Sequence, residues 1–192
     1  MKQLKSSRLD LIASTLEHIR AELETPDQLA FLLDAVVSSN WPTGEYDRDA
    51  MQFFRSRFEE EGEAAAEGWY GWYAIRNSDS EGPRTLVGAG GYFGPADLVG
   101  TVEIGYSILP QWQRRGYATE LAKLLLENAF SFLHVQRVIA QTTESNQASV
   151  AVLRACGFVA AGPGREIETL RFEASRPGRS NLSREIDDQP VQ

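Results

Sequence analysis

The sequence predicts a single mixed α/β domain, on three observations. Strand-like runs fill the middle of the chain, from Trp69 to Leu109. From there the pattern alternates strand, helix, strand, helix, strand as far as Glu173. The length, 192 residues, suits one domain with a core of ordinary size, and no internal repeat or second compositional block interrupts it.

Each element has its own signal. Leu9 to Ala13 alternates loosely and predicts a short first strand. Thr25-Pro26-Asp27-Gln28 predicts a helix start, with Thr at the cap, Pro at the first helical position and Gln three residues after the cap. Leu29, Phe31, Leu32, Leu33 and Val36 supply its apolar positions. Asn40-Trp41-Pro42-Thr43-Gly44 breaks the chain. Asp47 to Glu61 then places Met51, Phe54 and Phe58 at helical spacing, and Glu59-Glu60-Glu61-Gly62-Glu63 reads as its solvated end. Trp69 to Ile75 and Arg84 to Phe93 predict two antiparallel strands joined by a loop over Asn77 to Gly82. Thr101 to Leu109 is a nearly continuous apolar strand.

From Tyr117 to Leu133 the pattern is helical. Leu121, Leu124, Leu125 and Phe132 mark the apolar face, and Glu120, Lys123, Glu127 and Ser131 the polar one. Arg137 to Thr142 predicts a strand, Asn146 to Ala155 a short helix stopped at Gly157, and Phe158 to Ala161 and Glu166 to Glu173 the closing strands. The domain is expected over 1–173. Ala174 to Gln192 has no aromatic residue and little apolar mass, and is expected to be a disordered tail.

Composition excludes several functions. Hydrophobic residues make up 42% of the chain, which fits a folded globular protein. The single Cys156 rules out an internal disulfide framework and points to a reducing compartment. Met-Lys-Gln-Leu-Lys is not followed by an apolar signal region, and no run of 18 apolar residues occurs, so a cytoplasmic protein without a membrane partner is expected. A net charge of −8 argues against general affinity for nucleic acid. His18 and His134 lie far apart without ligand-spaced Cys or carboxylates, so neither a metal site nor a hydrolytic triad is expected. Gly88 to Gly94 imitates a dinucleotide fingerprint but has Phe93 at the sixth position and no helix after it. Cys156 fits a small core residue before a turn glycine better than a nucleophile.

The chemistry-bearing stretch runs from Gly105 to Ala118. A strand stops at Pro110, a polar loop with Arg114 and Arg115 follows, and Gly116 opens a helix at Tyr117. Loop and first-turn N–H groups there have no intrahelical acceptor, the helix dipole adds positive charge, and Gly116 lets backbone approach a ligand closely. A phosphate or pyrophosphate ligand is expected, held by local donors in an otherwise acidic chain.

Gln113-Arg114-Arg115-Gly116-Tyr117-Ala118 resembles the Q/R-x-x-G-x-G/A signature of the GNAT acyltransferases, which bind the pyrophosphate of acetyl-coenzyme A. Asn146-Gln147-Ala148-Ser149 and Cys156-Gly157-Phe158 are similar to that family's second cofactor region. Glu103-Ile104-Gly105-Tyr106 resembles the branch that includes the RimJ and RimL ribosomal-protein N-acetyltransferases. The resemblance covers Arg8 to Phe172. It implies a central, mostly antiparallel, twisted sheet splayed at the cofactor site and flanked by helices. It also implies that Ile108 and Leu109 run beside the pantetheine arm, which pairs with the sheet like an added strand, and that Gln113 to Ala118 hold the pyrophosphate.

The expected activity is transfer of acetyl from acetyl-CoA to a primary amine, either a protein N-terminus or a small molecule, by a monomer or homodimer without metal. The alternative is a non-catalytic acyl-CoA-binding sensory or regulatory module. Glu103, on the strand leading into the loop, reads either as general base or as a carboxylate in a structural hydrogen bond. Asn146 reads as a helix cap or a cofactor contact. Ser149, one turn on, is placed to act as acid near the thioester sulfur. Many members of the family carry a Tyr shortly after that point, but Val150 to Arg154 contains none. Trp41 and Tyr46 fall where the family builds its acceptor pocket, and fit core packing as well.

Overall fold

The structure, a computed structural model, describes residues 1–42, 44, 46–80 and 82–177. Its strands are β1 (Gln3–Lys5), β2 (Leu9–Ala13), β3 (Gly71–Arg76), β4 (Thr85–Tyr92), β5 (Thr101–Ile108), β6 (Arg137–Thr143), β7 (Val159–Pro163) and β8 (Thr169–Ser175). Its helices are α1 (Leu16–Glu24), α2 (Pro26–Leu33), α3 (Arg48–Glu61), α4 (Glu63–Ala66), α5 (Tyr117–Ser131) and α6 (Gln147–Ala155). The strands form one sheet in the order β1-β2-β3-β4-β5-β6-β8-β7. Every neighbouring pair is antiparallel except β5 and β6. The expected mixed, mostly antiparallel sheet flanked by helices is borne out.

Alternation along the strands divides the core between two faces. Leu9, Leu11, Ala13, Trp72 and Ala74 pack on one face with Leu121, Leu125 and Ala129 of α5 and Leu153 of α6. Ile12, Tyr73 and Ile75 pack on the other with Ile19 of α1, Leu29 and Leu33 of α2 and Phe54 and Phe58 of α3. A sheet covered on both sides explains why β2, β3 and β4 are buried along their whole length. The glycines of β4 belong to this packing and not to a nucleotide loop. A Cβ on Gly90 would lie 2.6 Å from Leu121 Cδ2 and 2.9 Å from the Gly105 carbonyl oxygen, so α5 can sit directly on the sheet only above a glycine.

Several boundaries differ from expectation. Three elements, β1, α1 and α4, stand where none was expected. Helix α1 begins with a capping box in which His18 takes the place of Glu or Gln. Thr15 Oγ1 accepts from the His18 N–H, and His18 Nδ1 accepts from the Thr15 N–H, both at 3.3 Å. Thr25 stands at the head of α2 as expected, but its carbonyl, not its side chain, accepts from the Gln28 N–H at 2.8 Å. This helix ends at Asp34, whose φ of 47° turns the chain away, so Val36 leaves it and bridges to Thr85. Phe31 is exposed, not core.

At the C-terminal end, α5 stops at Ser131, two residues before Leu133, which is exposed. Glu120 is not on a solvated face: its carboxylate takes Arg8 Nε at 2.8 Å. The last strand runs to Ser175, paired with Arg137, and Arg176 Nε donates to the Val135 carbonyl at 2.8 Å. The strand thus continues two residues past 173, and 178–192, where the tail is expected, lie outside the described residues. No helix among the described residues is long and apolar enough to cross a membrane.

Candidate active site

The site begins where β5 and β6 part. They pair only through Thr101–Glu103 and Arg137–Ile139. Beyond that point β5 stays with β4, through Ile104–Ile108, and β6 stays with β8. A cleft of about 540 Å³ opens between them, lined by Ile104 to Ile108, Trp112 to Arg114, Gly116 to Thr119, Ala140 to Thr142 and residues of α6. On β5 the Glu103 carbonyl accepts from Phe93 and the Leu109 N–H donates to Val87, both toward β4. By the alternation of an antiparallel ladder, the backbone groups of Tyr106 and Ile108 point the other way, into the cleft. Gln113 Nε2 confirms this direction by donating to the Ile108 carbonyl from the cleft side at 2.9 Å. Leu109 departs from expectation: it is fully buried, its N–H is spent on Val87, and it does not line the cleft.

The loop after β5 is shaped for an anion. Arg114 and Gly116 both have left-handed backbone, at φ 61° and 85°, so the chain curls around its own N–H groups. Gly116 caps α5 with no side-chain hydrogen bond to the first turn, which leaves those N–H groups facing the cleft. A Cβ on Gly116 would come within 3.3 Å of Arg8 Nη2. Arg8 holds the loop from the β1–β2 turn: Nη1 donates to the Arg115 carbonyl at 3.1 Å, and the guanidinium lies 4.8 Å from the Tyr117 ring. Trp112 is fixed in the cleft wall with the guanidinium of buried Arg76 5.3 Å from its ring and that of Arg115 at 5.0 Å. Arg115 does not itself line the cleft; Gln113, Arg114, Gly116, Tyr117 and Ala118 do. The left-handed loop, the uncapped helix end and the open edge of β5 together fit a pyrophosphate bearing an extended, amide-containing arm.

Across the cleft stands α6. Asn146 caps it by accepting from the Ser149 N–H at 3.1 Å, and both residues line the cleft. The structure adds Tyr106, to which the sequence reading gives no role. Its hydroxyl is 3.1 Å from Ser149 Oγ, so β5 places a phenol where the helix carries none. Cys156 is half-buried behind α6, 3.6 Å from the Thr119 carbonyl and outside the cleft lining. Burial pushes its thiol pKa up, opposite to what a nucleophile needs.

The other face of the sheet holds the remaining candidates. Glu103, Gly105 and Ser107 face away from α5. Gln141 Nε2 donates to Glu103 Oε1 at 2.7 Å and Arg165 Nη2 to Oε2 at 2.6 Å. Glu103 is therefore ion-paired and beside the cleft, not in its lining. Trp41 and Tyr46 are packed against each other with ring centroids 5.4 Å apart, and both donate to Glu22 of α1. Between them Gly44 meets β5: a Cβ there would lie 2.3 Å from Ser107 Oγ. Arg8, Arg165 and Glu22 reach the site from 62 to 107 residues away or from a helix with no motif, and no local signal could have found them.

Burial of Glu22 raises its pKa from 4.5 to about 7 against the opposing effect of three hydrogen bonds, from Tyr73, Trp41 and Tyr46. The folded protein therefore binds more protons than the unfolded chain between those two values. Stability from this group is fully present below pH 4.5 and is lost as pH rises through 7, by ~3 kcal/mol at about 1.4 kcal/mol per pH unit. Urea unfolding at pH 5.5 and 8.5 should show this decline in the wild type and a flatter profile in Glu22→Gln; equal slopes would reject the assignment.

Among the described residues, no group of three or more His, Cys, Asp or Glu is arranged to hold a metal ion. The family model for the acetyltransferase (GNAT) domain matches residues 15–159. Over 159 residues the chain is 26% identical to the uncharacterized N-acetyltransferase YjdG of Bacillus subtilis (strain 168), covering 83% of this chain and 90% of that protein. It superposes on RimL, the ribosomal L7/L12 alpha-N-protein acetyltransferase in complex with coenzyme A, with a TM-score of 0.62 and 16% identity over 91% of this chain and 98% of the other. For the dodecameric spermidine N-acetyltransferase of Vibrio cholerae the TM-score is 0.60 and the identity 17%, over 93% and 99% of the two chains. At such identities the two structural likenesses are likenesses of fold.

Proposed function

The chain belongs to the acetyltransferase (GNAT) family, and on that premise we propose that it transfers the acetyl group of acetyl-CoA to a primary amine that meets the open face of β5. The family assignment makes it an acetyl-CoA-dependent acetyltransferase; the amine, and the residues that act on it, are our reading. The observation that carries it is the parted pair β5 and β6, with the uncapped N-terminus of α5 at one end of the gap and Glu103 beside it.

When bound, acetyl-CoA supplies an activated acetyl thioester. Gln113, Arg114, Gly116, Tyr117 and Ala118 would hold its pyrophosphate, while the cleft-facing backbone of Tyr106 and Ile108 and the end of α6 at Asn146 would hold its arm. A backbone N–H of β5 is a fixed dipole that can stabilise negative charge growing on the acyl oxygen. Positioning supplies much of the rate, because both reactants are aligned along one strand.

Glu103 takes the proton that the acceptor ammonium must lose. It is held by Arg165 at rest, but the Arg165 side chain is 72% exposed. Solvent reaches the pair from the Arg165 side and screens it there, while the Glu103 side chain is 14% exposed, so an incoming ammonium can exchange for the guanidinium without unburying the carboxylate. Tyr106, bonded to Ser149 Oγ, holds a proton on the α6 side of the gap for the departing thiolate.

The activity is tested by release of free CoA in the presence of polyamines, amino acids, aminoglycosides and peptides with free N-termini. Release with one class and none without acceptor fits the proposal. Acetyl-CoA binding without release for any of them would favour the sensory module instead. The acid assignment has its own test. A thiol with a pKa near 8.5 departs readily, so Tyr106→Phe should lower kcat roughly 10-fold, short of the usual 10²–10⁴ for acid–base help, and Ser149→Ala a few-fold. Cys156→Ala should leave turnover intact. An acetylated Cys156, or full activity in Tyr106→Phe, would overturn this part.

A further inference from the structure

The mechanism leaves one buried ionisable group unused: Glu22 of α1, only 7% exposed. Both oxygens of its carboxylate are occupied. Trp41 Nε1 donates to Oε1, and the hydroxyls of Tyr46 and Tyr73 donate to Oε2 at 2.9 and 2.7 Å. Tyr73 belongs to β3 and is fixed in the core. Trp41 and Tyr46 belong to the connection between α2 and α3, and two contacts bring that connection to the site. Gly44 lies against Ser107 of β5 and lines the cleft. Ser38 Oγ accepts from Gln111 Nε2 in the turn after β5, at 3.4 Å.

We propose that Glu22 is a positioning residue for the acceptor: by clasping Trp41 and Tyr46 to the core it fixes Gly44 on the rim of the cleft and so sets how tightly an amine is received over Gly105 and Ser107. The geometry leaves little freedom. Gly44 stands three residues from one anchor and two from the other, and n extended residues span at most about 3.3–3.6 Å × n. While both anchors hold, Gly44 stays within about 7 Å of Tyr46 and about 11 Å of Trp41. If the clasp opens, the rim on that face of β5 is no longer defined.

Once ionised, at a pH above about 7, the carboxylate is suited to the task because it is acceptor-only, with lone pairs enough for three donors. A core of the same size could hold Trp41 by packing alone, but it would leave the indole N–H and two phenols buried without acceptors. An amide in the same place can accept through one oxygen only. Glu22→Gln therefore keeps the volume and breaks the three-donor clasp.

The consequence for catalysis rests on the acceptor reading above; the clasp itself does not, and the two are measured separately. In ¹⁵N-tryptophan-labelled full-length protein, assigned with Trp41→Phe, the Trp41 indole N–H should resonate far downfield in the wild type. In Glu22→Gln it should move upfield and exchange with solvent at least tenfold faster. With spermidine and with a peptide bearing a free N-terminal serine as probes, KM for whichever is acetylated should rise about tenfold in Glu22→Gln. The acetyl-CoA dissociation constant and the saturated kcat should stay within about twofold.

Tyr46→Phe, which removes one donor and keeps the ring, should move both readouts part of the way and remains informative if Glu22→Gln does not fold. An indole resonance unchanged in both variants overturns the clasp. A clasp that breaks while KM stays put overturns the positioning role. If the indole responds as expected and neither probe nor any other amine is acetylated, it is the acceptor reading that fails, and the positioning role with it.

Discussion

Replacing Gly116 by glutamate should weaken acetyl-CoA binding by roughly 30- to 100-fold, ~2–3 kcal/mol, in a protein that still folds. Two costs must be kept apart. Gly116 has φ 85°, and a side chain there is strained by about 1–2 kcal/mol with or without ligand. That cost lowers Tm. The affinity loss comes from a negative charge at the mouth of α5, where the pyrophosphate is expected: two unit charges 4 Å apart at an effective dielectric of about 20 repel by roughly 4 kcal/mol, reduced by solvent. Gly116→Ala separates the two. Its Cβ meets only the guanidinium end of Arg8, at 3.3 Å, so it should lose stability comparable to the glutamate variant and only a few-fold in affinity. Because the extra loss is electrostatic, it should shrink as salt rises from 0.05 to 0.5 M. Calorimetry showing equal affinities for wild type and Gly116→Glu would remove the pyrophosphate from this loop.

That prediction rests on a stretch the sequence exposes almost completely, and the reason is physical. A strand, a loop and a helix N-terminus are contiguous, so Gln113 to Ala118 carry their meaning in their own order. The apolar spacing of α5 and the alternation of β5 are legible for the same reason. What escapes the sequence is whatever one segment does to another. The start of helix α1 is hidden in the sequence because its capping box uses His18, which does for the cap what Glu or Gln does elsewhere. Phe31 sits in a good apolar pattern, yet the helix is one layer thick over the sheet and Phe31 faces outward. Tyr106 is plain in the sequence, but its nearness to Ser149, 43 residues on, depends on how far β5 and α6 stand apart. Trp41 and Tyr46 read equally as pocket or core; in the fold they pack around Glu22, Tyr46 buried and Trp41 partly so, while Gly44 between them lines the cleft.

The same gap between strand and fold governs Glu103, for which the largest kinetic effect is expected. Attack requires a neutral amine, and an alkylamine with a pKa near 10.4 is almost wholly protonated at pH 7. The sequence points to Glu103 as acceptor of that proton because it is the one carboxylate of β5. The structure adds that the carboxylate is already engaged, by Gln141 at 2.7 Å and Arg165 at 2.6 Å. A purely structural pair this exposed on one side is worth about 0–1 kcal/mol, so its loss alone changes the rate by less than about fivefold. General-base help is worth about 10²–10⁴-fold.

The two accounts are therefore far enough apart to be told from one substitution. Glu103→Gln keeps the shape and the bond from Gln141, and should lower kcat by ~10²-fold or more, with acetyl-CoA affinity unchanged. Part of the loss should return at high pH, where free amine accumulates, and acceptors of low amine pKa should suffer less. Arg165→Ala makes the opposite prediction. It removes the cation that competes with the acceptor for Glu103, so acceptor KM should fall while kcat holds. If Glu103→Gln keeps the wild-type rate and pH profile, or Arg165→Ala damages turnover as much as Glu103→Gln does, then the pair is a strut beneath the β5 face and the proton leaves the amine by another route.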